Sequence, residues 1–273
     1  MKYVLYHGNC YDGFGAAYAA WKHLGNEAKY IPVTYGAELP DLTGASHVYI
    51  LDFSYPYQTL EGIAEHIPLT LIDHHKTAQE NLKDWWHHNA TVVFNMAKSG
   101  ALLTWEYFHR YPAESPSDPG LPVPAPLLIQ HISDRDLWEF KLEGTKAVHK
   151  ALVSLPMDFK VWDALDVEDL KRDGALLERM HDQLVKNVCE KAWRADIDGH
   201  KVPVVNTSIA WSEVGDYLAK ENPDAPFVAS FTVMKNSIMW SLRSRGDFDV
   251  SAVAKKFGGG GHKNAAGFKA ARY

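Results

Sequence analysis

What most constrains this chain is an alternation in its first half, where short apolar runs take turns with stretches of helical spacing. KYVLYH is followed by GAAYAAWKHL, HVYILDFS by YQTLEGIAEHI, and LTLIDHH and TVVFN by SGALLTWEYFHRY. That rhythm predicts βαβ units on a parallel sheet, since parallel strands need a crossover and bury both faces. The strands also share an ending: His7 closes YVLY, Asp52 closes VYIL, and Asp73, His74 and His75 close LTLI. A strand buries its middle, but its carboxyl end can carry polar groups into the crevice where open α/β sheets place ligands.

Length and charge narrow the class. With 273 residues, 46% of them hydrophobic, the chain can bury one large core or two smaller ones. Its 28 basic and 34 acidic residues give a net charge of -6, so it has no basic track for long duplex, and an anionic substrate needs a local site. Cys10 and Cys189 are too few for a disulfide framework. The start MKYVLYHG lacks a long apolar h-region and no run of about 18 apolar residues occurs, so the expectation is a cytoplasmic protein with no membrane partner.

The expected fold class is α/β, with an N-terminal parallel-sheet domain over 1–166. Residues 112–126, PAESPSDPGLPVPAP, read as a loop, and LLIQHISDRDLWEF after them reads as a helix. Apolar positions recur at helical spacing over 167–195, which makes 167–196 a helical connector. A smaller α+β domain over 197–273 follows, with KVPVVNTS, a helical WSEVGDYLAKEN, and strands FVASFTVM and SIMWSLRS around a Lys-Asn turn.

His7, Asp12, Asp52, Asp73, His74, His75 and Asp134 all flank segments predicted to end on one side of one sheet. Oxygen and imidazole donors suit Mn²⁺, Mg²⁺, Fe²⁺ or Zn²⁺, and a carboxylate shared by two ions would hold them about 3.5–4 Å apart for in-line attack at phosphorus. His87 and His88 follow two tryptophans with no strand to deliver them, so they read as solvated or packed; Trp85 and Trp86 read as core caps and Lys76 as solvated. In GGGGHK, residues 258–263, Gly259, Gly260 and Gly261 let backbone N–H groups approach an anion, and His262 and Lys263 add charged donors. Arg243 is a candidate phosphate fork; Arg245 reads equally as an exposed hairpin arginine.

These residues resemble the DHH phosphoesterases. HGNCYDGFGAA matches an N-terminal His…Asp-Gly motif, LDFS a lone strand-end aspartate, residues 73–75 the Asp-His-His, and HISDRDLW a fourth acidic motif. GGGGHKNAAGF at 258–268 is similar to the signature of the DHH-associated C-terminal domain. The resemblance implies that His7, Asp12, Asp52, His74 and Asp134 ligate two ions, with Asp52 bridging. It also implies that Asp73 supports the histidine pair and that His75 faces the substrate phosphate. Of two carboxylates in HISDRDLW, Asp134 is chosen over Asp136 on this resemblance.

One motif departs from the family, which usually carries two aspartates after the first histidine. Asp12 takes the second place and Asn9 or Cys10 the first. Asn9 is taken as the ligand, an amide oxygen that holds a hard ion less firmly than a carboxylate; Cys10 reads as a small packing residue.

The expected activity is two-metal hydrolysis of short or single-stranded oligonucleotides, exonuclease-like, with Mn²⁺ in first place and Mg²⁺ as the alternative. Other readings are a phosphatase or phosphodiesterase of small nucleotides (cyclic dinucleotides, 3′-phosphoadenosine phosphate), an exopolyphosphatase, or a nucleotide-binding regulator with a degraded metal site. The chain is expected to act as a monomer or homodimer.

Overall fold

Val4, Leu5, Val48, Ile50, Leu69 and Leu71 are all but fully buried, because helices cover both faces of the sheet they form. The computed structural model describes residues 1–112 and 120–271. Its two units are Met1–Glu178 and Arg179–Tyr273.

The first unit opens with β1 (Lys2–His7), α1 (Tyr11–Leu24), β2 (Ala28–Val33) and β3 (His47–Leu51). Next come α2 (Tyr57–Ala64), β4 (Leu69–Asp73), α3 (Lys76–Leu82), β5 (Ala90–Phe94) and α4 (Gly100–Phe108). It continues through α5 (Leu127–Asp136), α6 (Thr145–Val153), α7 (Phe159–Asp163) and the start of α8 (Val167–Cys189). The five strands are parallel, in the order β2-β1-β3-β4-β5. β2 carries Pro32 and sits on an edge, where a strand can lack one ladder donor. Leu60 and Ile63 of α2 and Leu82 of α3 pack on one face with Leu5, Ile50 and Leu71. Ala16 and Ala20 of α1 and Leu103 of α4 pack on the other, against Val4, Leu51 and Ile72.

This order places the topological switch point between β1 and β3, because the chain runs outward to β2 and then returns to the far side of β1. Ligand crevices of open α/β sheets lie outside the carboxyl ends at that point. His7 ends β1 and Asp52 follows β3, one on each side of it.

The second unit adds β6 (Trp193–Ile197), β7 (His200–Asn206), α9 (Trp211–Glu221), β8 (Val228–Val233), β9 (Ser237–Arg243), α10 (Val250–Lys256), β10 (Gly260–His262) and β11 (Ala265–Ala271). Its mixed sheet runs β10-β11-β9-β8-β7-β6, with β7 and β8 parallel and the other pairs antiparallel. Val250, Val253 and Ala254 of α10 cover one face with Ala229, Leu242 and Phe268; Val214 and Leu218 of α9 pack on Val205 and Val228.

Two sequence expectations change here. The helix expected over 167–195 ends at Cys189, and Trp193–Ile197 pairs with β7 instead, so the chain leaves the helix before the apolar pattern stops. Residues 113–119 of the proline-rich loop lie outside the described residues; 120–126 carry no helix or strand apart from a bridge between Arg110 and Pro122.

Candidate metal centre

Asp52 sits at the middle of the site. It follows β3 in a left-handed conformation, φ 62°, which costs a non-glycine residue energy and is found where a side chain must be aimed. Its carboxylate is 1% exposed. One oxygen, Oδ1, lies 3.1 Å from His74 Nε2; the other, Oδ2, lies 3.4 Å from His7 Nδ1 and 3.7 Å from Cys10 Sγ. His74 Nε2 also lies 3.5 Å from Asp12 Oδ2 and 3.6 Å from Asp136 Oδ2.

The elements around Asp52 are built for close approach. A Cβ on Gly13 would fall 2.2 Å from the His7 carbonyl oxygen, so only glycine lets α1 turn so tightly off β1 and carry Asp12 inward. A Cβ on Gly100 would fall 2.6 Å from Asp52 Cβ. The first N–H groups of α4 point at Asp12: Gly100 N donates to Oδ2 at 2.6 Å and Ala101 N to Oδ1 at 3.0 Å. A helix N-terminus thereby supports a buried negative charge.

Asp73 plays a different part. It is fully buried and accepts from Ser54 Oγ at 2.6 Å, from the backbone N–H of His74 at 2.7 Å and of His75 at 3.1 Å, and from His75 Nδ1 at 2.7 Å. With its oxygens engaged in this way, Asp73 orients the His-His turn and fixes the His75 ring.

Charge explains why the site calls for cations. Burial pushes the Asp12 carboxyl well above the usual range, and the neighbouring carboxylates of Asp52 and Asp136 add to it. For Asp52 burial acts in the same direction, but the imidazoles of His7 and His74 beside it outweigh burial and hold the carboxyl below the ordinary range. Burial would depress His74; Asp52, Asp12 and Asp136 overcome it and push the imidazole up to about 10.

The residues fit divalent ions. Asp12, Asp52 and His74 present donor atoms within 4.8 Å of one another, as do His7, Cys10 and Asp52. Asp52 Oδ1 and His7 Nδ1 are buried, yet neither makes a hydrogen bond of good geometry, which is costly for polar atoms not reserved for a ligand.

Two expected ligands are displaced. Asn9 is exposed in a left-handed turn, φ 57°, and Cys10, the next residue, reaches the cluster in its place. Asp134 is turned away. Its carboxylate accepts from Lys141 N at 2.8 Å, Leu142 N at 3.1 Å and Thr145 Oγ1 at 2.5 Å, which organises the turn into α6. Asp136 approaches His74 instead. The signal was available: Asp136 is seven residues after Ile129 and four after Ile132, on one helical stripe, and an acidic residue in the last turn opposes the helix dipole. Ser54, Gly100 and Thr145 carry no signal in the sequence for these parts, and Cys10 stands there only as the alternative to Asn9.

In the second unit, His262 ends β10 and is half-buried. The glycine run is used by the fold: Gly258 N and Gly259 N donate to Lys255 and Ala254 carbonyls, and a Cβ on Gly259 would fall 2.0 Å from the Gly267 carbonyl oxygen. Gly260 and Gly261 pair with β11. The Arg243 guanidinium donates to Ser212 Oγ, Ser241 Oγ and the Leu242 carbonyl, and Lys263 pairs with Asp247 at 2.9 Å. Arg245 is exposed. His87 and His88 precede β5, at the amino edge of the parallel sheet and away from the centre.

A DHHA1 domain model matches residues 202–272, downstream of the Asp-His-His centre just described. The chain belongs to the DHH phosphoesterase family. Among similar proteins, an uncharacterized protein, R106, of Acanthamoeba polyphaga mimivirus is 32% identical over 292 residues, covering 97% of this chain and 66% of that protein. Oligoribonuclease NrnB of Bacillus subtilis strain 168 is 25% identical over 307 residues, covering 97% and 72%. The fold is shared with an exopolyphosphatase-related protein from Bacteroides fragilis, with a TM-score of 0.54 at 14% identity, over 98% of this chain and 86% of that one. This DHH protein spans about two thirds of the mimivirus protein's length.

Proposed function

We propose that this DHH protein is a metal-dependent phosphodiesterase that hydrolyses short single-stranded oligonucleotides. The observation that carries it is Asp52, buried at the switch point with one oxygen facing His74 and the other facing His7. Asp12, Asp52, His74 and Asp136 would hold one divalent ion, and His7, Asp52 and their neighbour at position 10 the other. When bound, such a pair supplies Lewis acidity and activates water near neutral pH, with Mn²⁺ or Mg²⁺ suited to the oxygen-rich half.

The chain's own residues do the rest. Asp52 spans the two positions, and Asp73 holds the His75 ring by Nδ1, which sets the orientation in which His75 would meet a phosphate oxygen. In this reading the DHHA1 unit contributes substrate binding through His262 and Arg243. The similarity of the whole chain to an oligoribonuclease favours an oligonucleotide over a polyphosphate or a small nucleotide, and the net charge of -6 favours a short one.

The test is a panel of 2–5-nucleotide RNA and DNA, a cyclic dinucleotide, 3′-phosphoadenosine phosphate and polyphosphate, each offered with Mn²⁺ or Mg²⁺. Fastest turnover on the short oligonucleotides, abolished by chelator, is expected. Preference for polyphosphate, or full activity in chelator after dialysis, would overturn the proposal.

A further inference from the structure

The two halves of the centre carry unlike donors. Cys10 Sγ and His7 Nδ1 both approach Asp52 Oδ2, at 3.7 and 3.4 Å, and these three residues form a ligand-sized group. The other half, Asp12, Asp52, His74 and Asp136, offers oxygen and nitrogen alone. A packing role for Cys10 finds no support, because it belongs to none of the apolar clusters of its unit among the described residues. His7 Nδ1, buried beside it without a hydrogen bond, points to a ligand at this position.

Resting on the two-ion reading above, we propose that Cys10 is a thiolate ligand, so that the two sites select different ions. The His7, Cys10, Asp52 site takes Zn²⁺, Co²⁺ or Fe²⁺; the Asp12, Asp52, His74, Asp136 site takes Mn²⁺ or Mg²⁺. Sulfur is a soft donor that favours the first group, whereas carboxylates suit the second. On binding, the Sγ–H bond breaks, sulfur donates the electron pair to the ion and the proton leaves to solvent, with no change of oxidation state.

Co²⁺ titration of metal-free protein tests this, followed by calorimetry and by the sulfur-to-cobalt charge-transfer band in the near ultraviolet. The chain has two cysteines, so in Cys189→Ser a band can come from Cys10 alone. One equivalent of Co²⁺ is expected to raise the band in wild type and Cys189→Ser. Cys10→Ser should lack it while still binding Co²⁺ at the other site. Cys10→Asp should lose Zn²⁺ affinity by roughly tenfold or more, the scale on which altered metal surroundings act, and gain Mn²⁺ affinity. Two equivalents of Co²⁺ bound to Cys189→Ser without a band would overturn the thiolate ligand and leave the two-ion reading standing. No binding of Co²⁺ or Mn²⁺ by wild type would overturn both.

Discussion

Among single residues, Asp52 would hold ions, whereas Asp73 holds a neighbouring side chain, His75. Asp52→Asn removes a charge from both ion positions, so the loss of turnover should exceed the roughly 10–100-fold typical of disturbing an outer partner. Asp73→Asn, which acts through His75, should fall within that range. Steady-state kinetics on a short oligonucleotide, with metal affinity measured in parallel, checks both. An Asp73→Asn loss as large as that of Asp52→Asn would place Asp73 among the ligands. Gly100→Ala tests the packing beneath them: its Cβ has no room beside Asp52. The variant should fold but lose the rise in Tm that divalent metal gives the parent; an undiminished rise would show that Asp52 can shift without cost.

Among the elements, the sheet was legible because its strands are continuous apolar runs, and the edge that bears the site was legible because three of them stop at His or Asp. The choice between Asp134 and Asp136 was legible only in part: the helical stripe with Ile129 and Ile132 marks Asp136, but the turning away of Asp134 depends on a hydrogen bond to Thr145, eleven residues later, that no local pattern in SDRDLW encodes. Asn9 and Cys10 were confused for a similar reason: only the left-handed turn at Asn9 sends residue 10, not residue 9, inward. β2 was missed because Pro32 and Lys29 obscure its pattern. An exposed contact offers a stability test at this scale. Asp163 of α7 accepts from Lys22 Nζ at 2.6 Å and Tyr18 OH at 2.9 Å on α1. The Lys22 hydrogen bond, then that of Tyr18, holds its carboxyl below the usual range. A folded-state value below the unfolded one stabilises above the unfolded value and is lost as pH falls through the folded one. Asp163→Asn should therefore lower Tm by about 1–4 °C near pH 7, as fits a partly exposed pair. The gap should close once the pH is well below about 3.9, the ordinary aspartate value. A gap independent of pH would assign the effect to packing.

For the whole molecule, no helix among the described residues is long and apolar enough to cross a membrane, and the two units divide the proposed labour between chemistry and substrate binding. His262→Ala should raise KM for a short oligonucleotide while leaving a small aryl phosphodiester nearly unaffected; a lost charged hydrogen bond is worth about 1.5–3 kcal/mol, roughly a 10–150-fold effect. Equal losses on both substrates would assign His262 to the chemistry. Whether Asp52 organises two ions for phosphodiester hydrolysis is decided by calorimetric metal titration of metal-free wild type and Asp52→Asn, with oligonucleotide turnover followed at each metal concentration. Two ions bound by the wild type, turnover that appears only as the second site fills, and weakened binding at both sites in the variant are expected. Two sites of unchanged affinity in Asp52→Asn, or full turnover with a single ion bound, would contradict it.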